Sequence, residues 1–127
     1  MPRDIVFTEQ AARPPATYSQ AVKACGLVFV SGTAPHDPAT GALVGTTIQE
    51  QTRQCLTNIA AILAAAGSSL DNLVSATVLL ADEDDFAGMN EVYSKHIVEP
   101  PPARATVQVA RLPRDVKIEV DVIAVLA

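Results

Sequence analysis

Tryptophan is absent from this chain, and three Phe and two Tyr are its only aromatics, so the core has to be built from aliphatic side chains. Charge is also scarce. Charged residues make up 18% of the sequence, against about 25% in an ordinary small domain, which points to apolar surface covered by another subunit. Nine Lys and Arg are scattered among fourteen Asp and Glu, giving a net charge of -5. That balance speaks against a nucleic-acid partner or an anionic membrane, both of which need clustered cations. Cys25 and Cys55 lack CxxC spacing and follow no secretory leader, so both are expected to be reduced, buried thiols in a cytoplasmic protein. No segment approaches the roughly 18 to 20 apolar residues of a membrane span. His36 and His96 have no second His or Cys at zinc-ligand spacing. The glycines form neither GxGxxG nor a Walker loop, and Ser31-Gly32 lacks the GxSxG elbow. Metal, nucleotide-phosphate and serine-nucleophile chemistry therefore have no signature here.

What is present fits one domain over residues 1–127, long enough to bury roughly two thirds of its unfolded surface. Ile5-Val6-Phe7 reads as a first strand, followed by an extended Pro/Ala loop. Ala21-Val22 and Leu27 to Val30 read as a hairpin turning at Cys25-Gly26. Ser31 to Gly41 is dense in turn residues, with a short strand expected at Ala42 to Val44. Thr47 and Glu50 match a capping box, after which Cys55, Leu56, Ile59, Ile62, Leu63 and Ala66 trace a helical stripe that Gly67 ends. Leu73 to Leu80 predicts a strand largely buried on both sides. A second helix is expected from Asp82–Asp85, carrying Phe86, Met89, Tyr93 and Ile97, until Pro100-Pro101-Pro102 stops it. About six strands and two striped helices predict an α+β layer with both helices on one sheet face.

The last quarter of the chain holds two alternating patterns, each with a charge that asks for a reason. Val116, Ile118, Val120 and Val122 share one face, so Lys117, Glu119 and Asp121 share the other. If this strand pairs with the one starting at Arg104 through a Leu112–Asp115 turn, Arg104 and Glu119 approach the same sheet edge. Arg104 offers a planar fork that fits a carboxylate with two parallel hydrogen bonds. Taken singly, Arg104 and Glu119 read more readily as surface residues, and Tyr18 as a ring capping the core. Tyr18, Ser31, Asn90, Arg104 and Glu119 are the polar groups left at strand ends and loops.

The segments Tyr18-Ser19-Gln20, Val30-Ser31-Gly32, Gln51 to Asn58, Ala64 to Gly67, Asp85 to Asn90, Pro102-Ala103-Arg104 and Val109 to Glu119 resemble the RidA family nearly end to end. The resemblance implies a chorismate-mutase-like α+β fold, with a six-stranded, mostly antiparallel sheet, assembled as a homotrimer with sites at subunit interfaces. It also implies hydrolysis of reactive enamines and imines, of the 2-aminoacrylate and 2-aminocrotonate type, to 2-oxo acids and ammonia, without a cofactor. On that basis Arg104 holds the substrate carboxylate, Glu119 positions or activates water, and Tyr18 closes the site across the interface. Ser31, Gly32, Asn90 and Thr106 contact substrate. An ionised Glu119 beside Arg104 is the expected state. Many members carry Cys where this chain has Thr106, and Thr17 stands where proline is frequent, which leaves substrate preference open. Two other readings stay on the table: a non-catalytic module binding small carboxylates, and RNA cleavage or translation inhibition, which the acidic charge disfavours.

Overall fold

The computed structural model describes residues 2–126. Strand β1 (Asp4–Val6) pairs antiparallel with β2 (Ala21–Ala24), which forms a tight hairpin with β3 (Leu27–Thr33). Cys25 and Gly26 make that turn with φ of 56° and 75°, the positive values that a primed two-residue hairpin turn requires. Cys25 is therefore exposed at a turn and not buried, while Cys55 is buried, and both thiols are free. The Ala42–Val44 segment forms no strand; it makes only an isolated bridge between His36 and Leu43.

Helix α1 (Ile48–Ala66) begins at a complete capping box of Thr47 and Glu50 and ends at Gly67, whose φ of 87° gives a left-handed cap. Its stripe, Cys55, Leu56, Ile59, Ile62, Leu63 and Ala66, is buried throughout. Strand β4 (Leu73–Leu80) follows, then a single 3-10 turn over Glu83–Asp85 and helix α2 (Phe86–His96). Only alternate residues of β4 are fully buried, so its second face is partly covered and not sealed. Ile97 lies just beyond α2 in extended backbone.

The two C-terminal strands do not pair with each other. Strand β5 (Ala103–Gln108) runs parallel to β4 at the sheet edge, and β6 (Ile118–Val125) lies between β3 and β4, antiparallel to both. The strand order is β1-β2-β3-β6-β4-β5. The expected β5–β6 hairpin fails for a physical reason. Ile118, Val120, Val122 and Ala124 are buried beneath the helices, so β6 gains most at the sheet centre. The exposed residues of β5 suit an edge. The Leu112–Asp115 segment instead carries the chain past the end of β4, with Arg114 and Asp115 at φ of 59° and 56°.

Both helices cover one face of this mixed sheet, as the α+β expectation required. The other face carries Phe29, Leu79, Val107, Ile123 and Val125 with Glu119 and Asp121, placed there by cross-strand register and alternation. Phe29, Val107 and Val125 are each at least 40% exposed. No helix among the described residues is long and apolar enough to cross a membrane.

Leu56 is fully buried, whereas Thr47 acts only through its cap. Leu56→Ala should lower the unfolding free energy by about 2–5 kcal/mol, and Thr47→Ala by about 1 kcal/mol. Denaturant titration would check this ordering.

Candidate active site

Arg104 pairs across the sheet with Ala76, whose side chain is buried on the helix side, so its guanidinium rises toward α2. There its Nη1 donates to Asn90 Oδ1 at 2.8 Å. The guanidinium also sits 4.7 Å from the centre of the Tyr93 ring and 5.6 Å from that of Phe86. Two ring faces and one amide hold the fork in place and leave further N–H groups free. Thr106 shares this face of β5, opposite Val78, and its Oγ1 is buried without a partner. The Tyr93 hydroxyl also lacks a hydrogen-bond partner of good geometry; burial pushes its pKa up and the Arg104 charge opposes that.

Glu119 lies on the opposite face. It stands between buried Ile118 and Val120 and beside Gly32, where β3 slips register against β6. A Cβ added at Gly32 would collide with the Glu119 carboxylate, so glycine is needed for this close approach. Burial, followed by the Asp121 charge, raises the Glu119 pKa from its ordinary value. Cys55 packs behind it, its Sγ 3.3 Å from Thr33 O, and burial drives that thiol far from ionisation.

A cavity of about 440 Å³ opens here, lined by Tyr18, Ser31, Gly32, His36 and Glu119 with Arg13 and Arg114. Tyr18 and Arg13 also line a neighbouring hollow of about 200 Å³, so the loop carrying them is a wall between two spaces. Gln20 pins that loop, donating to the carbonyls of Thr8 and Ala12 at 3.0 Å each and accepting from Thr8 N–H at 2.8 Å. The Ser31 hydroxyl donates to Ser19 O at 2.6 Å, tying the loop to β3. From α1, Asn58 Nδ2 donates to Ala34 O and His36 O, which fixes the wall around His36. Burial and the charge of Arg114 lower the His36 pKa, keeping its imidazole neutral.

The residues singled out from the sequence thus fall into two groups within one subunit. Arg104, Asn90 and Thr106 occupy the helix side of edge strand β5, while Tyr18, Ser31, Gly32 and Glu119 surround the cavity beyond β4 and β6. Arg104 and Glu119 do not meet at one sheet edge: β4 separates their strands and they face opposite ways. Glu119 consequently does not have Arg104 beside it within its own subunit, and its pKa moves in the direction opposite to the ionised state expected. Phe86 and Tyr93, which brace Arg104, had shown only a core-forming helical period. Gln20 and Asn58 lie in segments that carry the resemblance yet have no role legible there, because a buried amide that organises loops looks like any surface amide.

Residues 8–126 match the endoribonuclease L-PSP family. The chain belongs to that family. Within this L-PSP family it is 51% identical over 122 residues to a RutC family protein of Pyrococcus horikoshii, covering 96% of this chain and 97% of the other. It is 45% identical over 123 residues to the goat protein named 2-iminobutanoate/2-iminopropanoate deaminase, covering 97% and 90%. Its fold superimposes on the crystal structure of Escherichia coli TdcF with bound serine at a TM-score of 0.90, with 40% identity and coverage of 98% and 99%. These L-PSP relatives establish the RidA-type fold and family.

A carboxyl whose pKa is raised on folding contributes stability while protonated and loses it as pH rises through the folded value. Glu119→Gln imitates the protonated form. It should melt above the unaltered protein near about pH 8, with the gap closing on acidification below the ordinary carboxylate range. Thermal melts across pH would show it, and a variant that melts lower near pH 8 would contradict the burial argument.

Proposed function

We propose that this protein hydrolyses 2-imino acids and their enamine precursors to 2-oxo acids and ammonia, at clefts formed where the Arg104 group of one subunit meets the Glu119 group of its neighbour in a homotrimer. The observation that carries this reading is an arginine fork braced by Asn90, Phe86 and Tyr93 yet paired with no carboxylate. A ligand carboxylate is the group such a fork accepts. The goat relative's name and the serine bound in TdcF fit a small amino-acid-derived substrate. The apolar side chains exposed on the helix-free face fit burial against other subunits.

The chemistry asks little of the protein. Arg104 orients the substrate carboxylate. A protonated Glu119 gives its proton to the terminal carbon of the enamine, producing the iminium. The resulting carboxylate takes a proton from water as the water oxygen bonds to the substrate's central carbon. Collapse of that adduct moves its hydroxyl proton to the nitrogen, forms the carbonyl as the carbon–nitrogen bond breaks, and releases ammonia. One water is consumed and nothing is oxidised or reduced. A carboxyl whose pKa is raised gives and retakes a proton more readily than an ordinary one, and such positioned proton transfer contributes about a hundred to ten-thousandfold. Tyr18, half exposed on its pinned loop, would cover the bound substrate.

Added to a dehydratase acting on serine or threonine, the protein should speed appearance of the 2-oxo acid. Arg104→Ala should lower kcat/KM on the order of a hundredfold or more without lowering the melting temperature. Full activity in Arg104→Ala would remove the fork from the mechanism. Light scattering should give three times the 13.3 kDa chain mass; a monomer at working concentrations would contradict the shared cleft.

A further inference from the structure

The cavity beside Glu119 holds more positive charge than a short imino acid can use. Arg13 and Arg114 both line it, together with His36. Among the described residues neither guanidinium meets a carboxylate. Arg13 stacks over Phe7 at 4.8 Å, and Arg114 donates one bond, to Gly41 O at 3.3 Å. Of the nearby carboxylates, Asp115 pairs with Arg111 at 3.0 Å, Asp37 accepts the amides of Ala39 and Thr40, and Glu119, on the same cavity, forms an ion pair with neither guanidinium, which leaves two cations against one carboxyl there. Arg114 stands at φ 59°, ψ 21°, a left-handed conformation that residues with side chains seldom adopt. His36 adds a buried Nδ1 without a hydrogen-bond partner. In a chain of net charge -5, two unpaired guanidiniums on one cavity are a local reversal of sign. At about 440 Å³ the space also falls within the range of small-molecule sites, about 300–1,000 Å³.

From this we infer that the cavity receives a second carboxylate, so that the preferred substrates are dicarboxylic 2-imino acids. The inference rests on the hydrolysis proposed above: Arg104 takes the carboxylate next to the imine, and Arg114, with Arg13, takes the distal one. The substrate would come from a reaction that oxidises a dicarboxylic amino acid to its imine. Hydrolysis then adds water across the carbon–nitrogen double bond, releases ammonia and leaves a 2-oxo dicarboxylate, with no change of oxidation state.

Two readouts test it on the intact assembly. Calorimetry would compare 2-oxoglutarate with pyruvate, and kinetics would compare 2-iminoglutarate, generated by a glutamate oxidase, with 2-iminopropanoate. We expect 2-oxoglutarate to bind about tenfold tighter or more, as a charge-assisted pair allows. Arg114→Gln should erase that preference and lower the 2-iminoglutarate to 2-iminopropanoate ratio of kcat/KM by about tenfold, with Arg13→Gln acting in the same direction. Equal affinity for the two oxo acids, or parallel loss of both substrates in Arg114→Gln, would overturn the inference. Turnover of 2-iminopropanoate without any preference for the dicarboxylate would sink this inference and leave hydrolysis standing. An Arg114-dependent preference in binding without turnover would do the reverse.

Discussion

Strand β4 lies between β5 and β6, and the site takes its form from that placement. β6 carries the most continuous apolar face in the chain, and its burial under two helices draws it to the sheet centre. Strand β5, delivered by α2 as a parallel crossover, is left at the edge with its residues largely exposed. Because side chains alternate along both strands, Arg104 and Glu119 end on opposite faces with a strand between them. Each then has half of what a carboxylate-bearing substrate needs. Arg104 has donors and no anion. Glu119 has a cavity and a raised pKa, and among the described residues it forms no ion pair.

Each half is built to hold one side chain still. On the β5 side, the guanidinium is fixed by Asn90 and two aromatic rings, so little rotamer freedom remains to be lost when a ligand binds. On the other side, Gly32 lets the Glu119 carboxylate approach the backbone of β3, and the loop carrying Tyr18 is tied down through Gln20 and Ser31. The buried amides of Gln20, Gln51 and Asn58 serve the same end. Gln20 and Asn58 satisfy loop carbonyls and amides beside the cavity, and Gln51 does the same for Gly45 and Lys117 on the segments leading into α1 and β6.

Much of this was legible in the sequence because it rests on local rules. The capping box at Thr47 and Glu50, the stripe from Cys55 to Ala66, the Gly67 cap and the alternation of β6 are each set by residues a few positions apart. The β5–β6 hairpin failed because strand order is not local. A turn at Leu112–Asp115 is compatible with pairing or with skipping a strand, and only competition for the buried centre decides between them. The site residues were found largely through family resemblance, since a lone Arg or Glu on a strand looks like surface. Their division into two groups stayed hidden for the same reason as the hairpin. Phe86 and Tyr93 show only the period of core positions, and the charge gathered by Arg13 and Arg114 comes from segments far apart in the chain.

The central claim is that an Arg104 group and a Glu119 group from different subunits make one cleft. Mixing inactive Arg104→Ala and Glu119→Gln chains, unfolding them together and refolding them at equal ratio tests it most directly. In a cyclic homotrimer, one cleft in four on average then pairs an intact Arg104 with an intact Glu119, so imine hydrolysis should return to about a quarter of the unaltered level. A mixture that stays as inactive as its two parents would place both residues in a site within one subunit and contradict the account.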